Sequence, residues 1–245
     1  MKPVLLVRND RYESFGVAPG ALSRAGVDLL TTNATSPAAE LPPLEEVAGV
    51  VTFGGTVNVD QVHDHPHLAR VREYTREAVE HGVPYLGICL GSQILARAFG
   101  QEVVRGSVRE AGFEPVHPTP EAKEDPLLSF LGEGEMVLQW HEDTHELPDG
   151  GTLLVTGDRI PVQGYRIGDL AWGIQFHLEV DALELGWWLE VADAEVNLKT
   201  VWGKSADEIR AESELHIVAQ EERGREIFRR FADIVRGVPT PGTGS

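Results

Sequence analysis

The stretch that decides the fold of this chain is Val83-Pro84-Tyr85-Leu86-Gly87-Ile88-Cys89-Leu90-Gly91-Ser92-Gln93. An apolar, strand-like run leads into Cys89, and helix-compatible residues follow it as far as Phe99. A glycine stands two positions away on each side, as a sharp turn requires where the chain passes close to itself. The pattern predicts a nucleophile elbow, which raises Cys89 above a sheet at a helix N-terminus, where partial positive charge favours the thiolate.

Alternating strand and helix signals precede the elbow. Strands are predicted at Val4–Val7, Val27–Thr31 and Val47–Phe53, and helices at Gly20–Ala25 and Pro66–His81. Alternating units of this size imply an α/β protein whose parallel sheet has helices on both faces.

Short strands separated by turns follow the elbow helix, and we expect them to extend the sheet in antiparallel fashion. They are predicted at Glu102–Arg105, Phe113–His117, Met136–Trp140, Thr152–Thr156, Val162–Arg166 and Ala171–Phe176.

The C-terminal part is predicted to be helical. One helix is expected at Asp181–Ala194, and Ser205 with Glu208 forms a capping box that opens a second, reaching about Val235. No repeat or linker divides the chain. We therefore expect one domain over 1–236, with a core of 1–180 and a helical extension of 181–236, followed by a disordered tail at 237–245.

Composition restricts the classes of partner and compartment. The chain has 245 residues, 42% of them hydrophobic, which suffices for a substantial core. Its 21 basic and 39 acidic residues give a net charge of −18, which argues against nucleic acid as a partner. A single cysteine excludes an internal disulfide, and no apolar run suits a signal peptide or a membrane helix. These features predict a cytoplasmic protein without a membrane partner.

A nucleophilic cysteine needs a base, and the base needs a group that orients it. The segment Gly173-Ile174-Gln175-Phe176-His177-Leu178-Glu179-Val180 supplies both. His177 ends an apolar strand, and Glu179 follows two residues later, so both side chains can lie on the same side. Glu179 can then hold the imidazole in the tautomer that accepts the thiol proton.

A tetrahedral intermediate also needs backbone N–H groups for its oxyanion. Leu90, the residue after the nucleophile, supplies one. Gly54-Gly55 ends another predicted strand and can supply a second, because glycine lets the backbone approach the substrate closely. We predict an oxyanion hole formed by Gly55 and Leu90.

Together, the elbow, the Gln175–Glu179 segment and Phe53-Gly54-Gly55 resemble the class I (triad) glutamine amidotransferases. The match runs from Met1 to about Val180. Within the family the chain looks most like stand-alone, GMP-synthase-like members, a likeness carried by Glu110-Ala111-Gly112 and Gln139-Trp140-His141-Glu142-Asp143-Thr144.

The resemblance implies a flavodoxin-like three-layer sandwich and a glutaminase reaction that needs no cofactor. Cys89 would attack the side-chain amide of glutamine, His177 would protonate the departing ammonia, and water would cleave the γ-glutamyl thioester. The substrate-binding residues it implies are Gly54, Gln93, Trp140 and His141.

Three positions depart from the family pattern. Ser92 stands where many members have histidine, and Leu178 and Thr56 stand where prolines follow the catalytic histidine and the two glycines. No triad member is lost, but we expect Thr56 and Leu178 to alter the conformation of the loops near the thiol.

Two other motifs are interpreted as coincidental. His141-Glu142-Asp143-Thr144-His145 matches the zinc-protease pattern, but that pattern requires a helix, and this segment follows strand-like residues. We expect it to wall the glutamine pocket and predict no metal. Gly203-Lys204-Ser205 lacks the earlier glycine of a phosphate loop. Trp187-Trp188 is interpreted as core or helix packing.

Several functions share this chemistry. The chain either passes ammonia to a separate synthetase or hydrolyses glutamine outright. A γ-glutamyl peptidase or hydrolase acting on γ-glutamyl conjugates would differ only in the leaving amine. A non-catalytic regulatory subunit with the same fold is the third alternative, and the intact set of Cys89, His177 and Glu179 argues against it.

Overall fold

A computed structural model of the protein describes residues 2–10 and 14–238, except for the side chains of residues 193–195. Most of the tail predicted at 237–245 lies outside them. Within this part of the chain the strands are β1 (Val4–Arg8), β2 (Leu29–Asn33), β3 (Gly49–Thr52), β4 (Tyr85–Ile88), β5 (Val103–Pro118), β6 (Glu135–His145), β7 (Gly151–Gly157), β8 (Gly164–Ile167) and β9 (Ala171–Ile174). The α-helices are α1 (Ala18–Arg24), α2 (His67–Glu80), α3 (Leu90–Ala98), α4 (Ala182–Glu195), α5 (Leu198–Trp202) and α6 (Ala206–Val235).

All of these strands form one sheet in the order β2-β1-β3-β4-β9-β8-β7-β5-β6. The first five in this order run parallel, and the remaining four extend the sheet in antiparallel fashion. Numbered alone, the parallel strands follow the order 2-1-3-4-5 of flavodoxin-like folds. The predicted α/β class, with its antiparallel extension and C-terminal helices, is confirmed.

Helices cover both faces of the parallel strands. Leu6 points to the face covered by α1 and α6, where it shares a core with Phe228. Its neighbour Leu5 points to the opposite face, where it shares a core with Ile94 and the other apolar residues of α2 and α3. Successive strand residues alternate between faces, so two cores form around one sheet. A third core joins α4, α5 and the start of α6 to β5 and β6.

Strand β9 joins the two parts of the sheet. Ala171–Phe176 was expected in the antiparallel extension, and β9 does pair antiparallel with β8, but it also pairs parallel with β4, in the register Gly87 with Gly173 and Ile88 with Ile174. All four residues of β9 are buried, as is usual for a parallel strand covered on both faces. This pairing brings the segment that contains His177 next to the elbow.

Strands β5 and β6 are longer than predicted. The two strands expected at Glu102–Arg105 and Phe113–His117 are one strand, with a shift of register between Arg105 and Glu110. β6 continues beyond Trp140 to His145, so the zinc-protease pattern lies on a strand and its non-helical character is confirmed. Helix α5 was not predicted. Its five residues carry too little periodicity to reveal it.

The capping box predicted at Ser205 and Glu208 is confirmed at the start of α6. None of the helices in the described part of the chain is both long and apolar enough to cross a membrane.

Candidate active site

Cys89 occupies a strained turn between β4 and α3. Its φ of 51° and ψ of −110° make it the one non-glycine residue with positive φ in the described part of the chain. A Cβ at Gly91 would lie 2.0 Å from the carbonyl oxygen of Thr52, and one at Gly87 would lie 2.4 Å from that of Gly91. Both glycines are therefore required by close backbone approaches, as the elbow pattern predicts.

His177 and Glu179 meet as the sequence predicts. Nδ1 of His177 lies 2.6 Å from Oε1 of Glu179, and both side chains are buried. The Cys89 N–H donates to the carbonyl of Ile174 at 2.8 Å, and the His177 N–H donates to that of Leu138 at 2.8 Å. These backbone bonds hold the histidine segment between the elbow and β6. With Nδ1 engaged by Glu179, Nε2 is left for the thiol.

The electrostatics of His177 favour its protonated form. Burial by itself lowers the pKa of His177, but the charges of Glu179 and Cys89 and hydrogen bonds to both outweigh it, so the pKa is raised well above its usual value. An imidazolium beside a thiolate is the form in which a cysteine is nucleophilic.

The predicted oxyanion groups lie beside the thiol. Leu90 is the first residue of α3, where a backbone N–H has no partner within the helix. Gly55 lines the cavity above Cys89, and a Cβ there would lie 2.7 Å from Cδ2 of Leu90. Gly54, predicted to bind substrate, is buried and is not among the described residues that line the cavity.

Thr56 tightens the loop after β3 where the family pattern has proline. Its N–H donates to Oδ2 of Asp10 at 3.1 Å, and its hydroxyl donates to the same oxygen at 2.5 Å. A proline has no N–H and could not make the first of these bonds. Asp10 thus holds the loop that carries Gly55.

A cavity of about 430 Å³ opens over Cys89 and His177. Its walls come from the loop after β3, the start of α3, β6, α4 and α5. Gln93, Trp140 and His141, all predicted to bind substrate, line it.

Gln93 links the elbow helix to β6. Its Nε2 donates to the backbone carbonyl of Asp143 and to Oε1 of Gln175, both at 3.2 Å. His141 is similarly engaged, with Nδ1 3.1 Å from the same carbonyl and Nε2 3.0 Å from Oε2 of Glu110. Gln93 and His141 therefore both contact the backbone carbonyl of Asp143 and fix this part of the cavity wall.

Glu110 secures His141 from the neighbouring strand. It is buried and also accepts a hydrogen bond from Gln163 at 2.8 Å. Burial alone raises the pKa of Glu110, but the hydrogen bonds and charge of His141, with Gln163 and Arg159, lower it below its usual value. The carboxylate is therefore charged, and it fixes the orientation of the imidazole.

Asp143 is a site residue that the sequence did not reveal. It lines the cavity with 9% of its surface exposed, and its Oδ2 accepts from the side chain of Asn58 at 2.7 Å. Its buried Oδ1 has no hydrogen-bond partner. The available signal was its place within Gln139–Thr144. An acidic side chain in a cavity wall suits a cationic ligand group.

Tryptophans form the opposite wall. The Trp188 ring meets His177 edge-on at 5.0 Å between centroids and meets Trp140 at 5.9 Å. Trp202 lies 6.0 Å from Trp140, and Trp187 also lines the cavity with 38% of its surface exposed. Trp188 packs against the third core, as interpreted, and both members of the pair also face the site. Only the folding of α4 over β6 places them there.

The family model for class I glutamine amidotransferases matches residues 19–186, well over half of the chain. The chain belongs to this family. The match includes Cys89, His177 and Glu179.

Sequence relatives agree with the class I glutamine amidotransferase assignment. The glutamine amidotransferase-like protein YfeJ of Salmonella typhimurium is 31% identical over 150 residues, which cover 59% of this chain and 63% of that protein. The GMP synthase (glutamine-hydrolysing) of Kluyveromyces lactis is 35% identical over 133 residues, 54% of this chain but 24% of that enzyme. This chain therefore spans less than two thirds of YfeJ and about a quarter of the GMP synthase.

Solved structures match the chain over nearly its whole length. A glutamine amidotransferase from Thermotoga maritima superposes with a TM-score of 0.82 at 26% identity, covering 95% of this chain and 97% of that one. A glutamine amidotransferase from Methylobacillus flagellatus gives a TM-score of 0.85 at 24% identity, covering 100% and 98%. At 24% identity, the match to the Methylobacillus flagellatus protein shows that the two chains share a fold.

Proposed function

We propose that this protein hydrolyses the side-chain amide of glutamine through a γ-glutamyl thioester on Cys89 and releases ammonia. The observation that carries the proposal is the position of Cys89, on a strained elbow beside the buried pair of His177 and Glu179. The family of the chain supports the same reaction.

Substrate binding would use the polar side of the cavity. The acidic side chain of Asp143, which lines the cavity, suits the α-ammonium group of glutamine, and Asn58 and Gln93 hold that side chain and its backbone in place. The amide carbonyl would then lie over Cys89, with its oxygen toward the N–H groups of Gly55 and Leu90.

Catalysis would proceed in two steps. The Cys89 thiolate attacks the γ-carbonyl carbon, the C–N bond breaks, and the His177 imidazolium gives its proton to the departing nitrogen. A water molecule then attacks the thioester, His177 takes its proton, and glutamate leaves as the thiol re-forms. Glu179 orients the imidazole and stabilises its charge throughout.

The ammonia would be delivered to a separate synthetase. GMP synthases are among the relatives, and the chain matches a quarter of their length.

A glutamine-derived diazoketone tests this proposal. We expect it to modify Cys89 stoichiometrically, by intact mass and peptide mapping, and glutamine to protect. Cys89→Ala should abolish labelling and lower glutaminase kcat by roughly 10⁴-fold or more, because the nucleophile is lost. Leu215→Ala, a change at an exposed residue of α6, is the control and should retain both activities. An unlabelled Cys89, or ammonia release that survives Cys89→Ala, would refute the mechanism.

A further inference from the structure

The cavity has two chemically different sides. Successive side chains of β6 point to opposite faces, so Asp143 lies with Asn58 and Gln93, while Trp140 lies with Trp188 and Trp202. We call Trp140, Trp187, Trp188 and Trp202 the aromatic wall. The polar side accounts for the amino-acid part of glutamine, but nothing in ammonia release requires the aromatic wall.

The aromatic wall lies on the side from which the amine departs. His177 gives its proton to the leaving nitrogen, so the nitrogen and any group attached to it must lie next to the imidazole. Trp188 meets that imidazole edge-on at 5.0 Å. A substituent on the amide nitrogen would therefore extend along the indole rings.

The size of the cavity agrees with a larger substrate. Its volume of about 430 Å³ lies within the range of roughly 300–1,000 Å³ that holds drug-sized ligands. Val191 and Ala192, which follow Trp187 and Trp188 on α4, add apolar surface to the lining there. An apolar group placed there would remove indole surface from water, including that of the 38%-exposed Trp187.

The charged groups near the aromatic wall carry one excess positive charge. Glu142 pairs with Arg105 at 2.6 Å and with Arg109 at 2.7 Å, and the Arg109 guanidinium lies 5.9 Å from the centre of the Trp202 ring. Because this carboxylate is already paired to two arginines, a cationic substituent would find no free counter-ion on Glu142 and would meet the excess positive charge. The wall therefore favours a flat group that carries no positive charge.

We propose that the preferred substrates are secondary γ-glutamyl amides whose nitrogen carries an aromatic group without a positive charge. This inference rests on the proposed function, because it uses the same thioester. The C–S bond forms as the C–N bond breaks, the arylalkylamine leaves with the proton from His177, and water returns the thiol and glutamate.

A panel of synthetic amides tests the inference on the unmodified protein. γ-Glutamyl-benzylamide and γ-glutamyl-methylamide both release an alkylamine and differ in the ring. We expect kcat/KM for the benzylamide to exceed that for the methylamide and for glutamine by at least tenfold, mainly through KM. Equal values, or a preference for the cationic γ-glutamyl-diaminobutane or the anionic γ-glutamyl-glycine, would overturn it.

Two substitutions test whether the aromatic wall causes the preference for the benzylamide. Trp202→Ala should reduce the ratio of benzylamide to methylamide kcat/KM at least fivefold, whereas Leu183→Ala should leave it unchanged. Leu183 is 86% exposed on α4 and is not among the described residues lining the cavity. Circular dichroism verifies folding. If the Trp202→Ala protein is folded and keeps the ratio of benzylamide to methylamide kcat/KM, the role proposed for the aromatic wall is wrong. Glutamine hydrolysis without the aromatic preference refutes this inference alone, whereas a folded protein that hydrolyses no amide refutes the proposed function as well.

Discussion

Glu179 has the largest influence of any single side chain on the state of His177. Its carboxylate lies 2.6 Å from the imidazole, and its charge is the leading contribution that raises the pKa of His177 against the effect of burial. The second carboxylate oxygen is buried without a hydrogen-bond partner. The carboxylate therefore contacts the imidazole through its other oxygen, and substituting Glu179 tests how that contact affects His177.

Glu179→Gln should lower the pKa of His177, because the leading contribution that opposes burial is then lost. We expect kcat for glutamine to fall by roughly 10² to 10⁴-fold and the pH limb that reports imidazolium loss to move to lower pH. NMR titration of the His177 ring measures the first effect, and the pH profile of kcat measures the second. An unchanged His177 titration would exclude this role for Glu179.

The same pKa shift predicts how stability depends on pH. A histidine whose pKa is raised in the folded state contributes stability that is complete below its unfolded value of 6.5. That contribution is lost as pH rises through the higher folded pKa. The free energy of unfolding, measured in urea, should therefore decline on the alkaline side of neutrality in the wild type and decline less in Glu179→Gln. Identical pH dependence in the two proteins would contradict this linkage.

Among the elements, the elbow between β4 and α3 allows the least variation. Its glycines were predicted from their spacing around Cys89, and the structure shows the reason in the approach of Gly91 to the carbonyl of Thr52. Helix α4 offers a contrast. A Cβ at its Gly186 would meet no atom within 4 Å.

The two helical glycines make a matched pair of substitutions. Gly91→Ala should destabilise the protein by about 1–3 kcal/mol or more, because backbone must move to admit the methyl group. Gly186→Ala should stabilise it by about 0.5–1 kcal/mol, because alanine restricts the unfolded chain and favours helix. Urea midpoints at constant m-value measure both. Equal effects at the two positions would show that the approach at Thr52 does not constrain the elbow.

The errors in element prediction have a common cause. Two strands, Glu102–Arg105 and Phe113–His117, were predicted where β5 is continuous, and the strand predicted at Met136–Trp140 ends before β6 does. The two regions pair with each other, and this pairing overrides the local signals. Each region therefore forms one long strand, β5 or β6. Local propensity carries no information about a partner that is distant in sequence.

For the molecule as a whole, the C-terminal extension supports the site. Gln220 of α6 is fully buried, accepts from the Leu138 N–H at 3.4 Å and donates to the carbonyl of His177. A Cβ at Gly224 would lie 2.1 Å from the carbonyl oxygen of Leu178. Helix α6 therefore packs directly on the backbone that carries His177, and α4 and α5 complete the cavity.

Gln220→Met, which keeps the side-chain length, tests this support. We expect a loss of about 1–3 kcal/mol in stability, because two buried backbone groups lose their partner. We also expect kcat to fall about tenfold with KM within about twofold, as His177 loses its fixed position. Kinetics and the His177 titration should both change. Normal kcat in a destabilised protein would reduce Gln220 to a structural role.

The sequence by itself determined the parallel α/β core, the elbow at Cys89 and the identity of His177, Glu179 and Gly55 as candidate site residues. Hydrophobic periodicity, glycine spacing and motif order are local signals, and parallel strands bring their carboxyl ends to one edge. Tertiary structure alone decided the rest: the place of Asp143 in the cavity wall, the aromatic wall beside His177 and the support from α6. These depend on contacts between segments far apart in the chain, which form only when β5 pairs with β6 and the C-terminal helices pack over them.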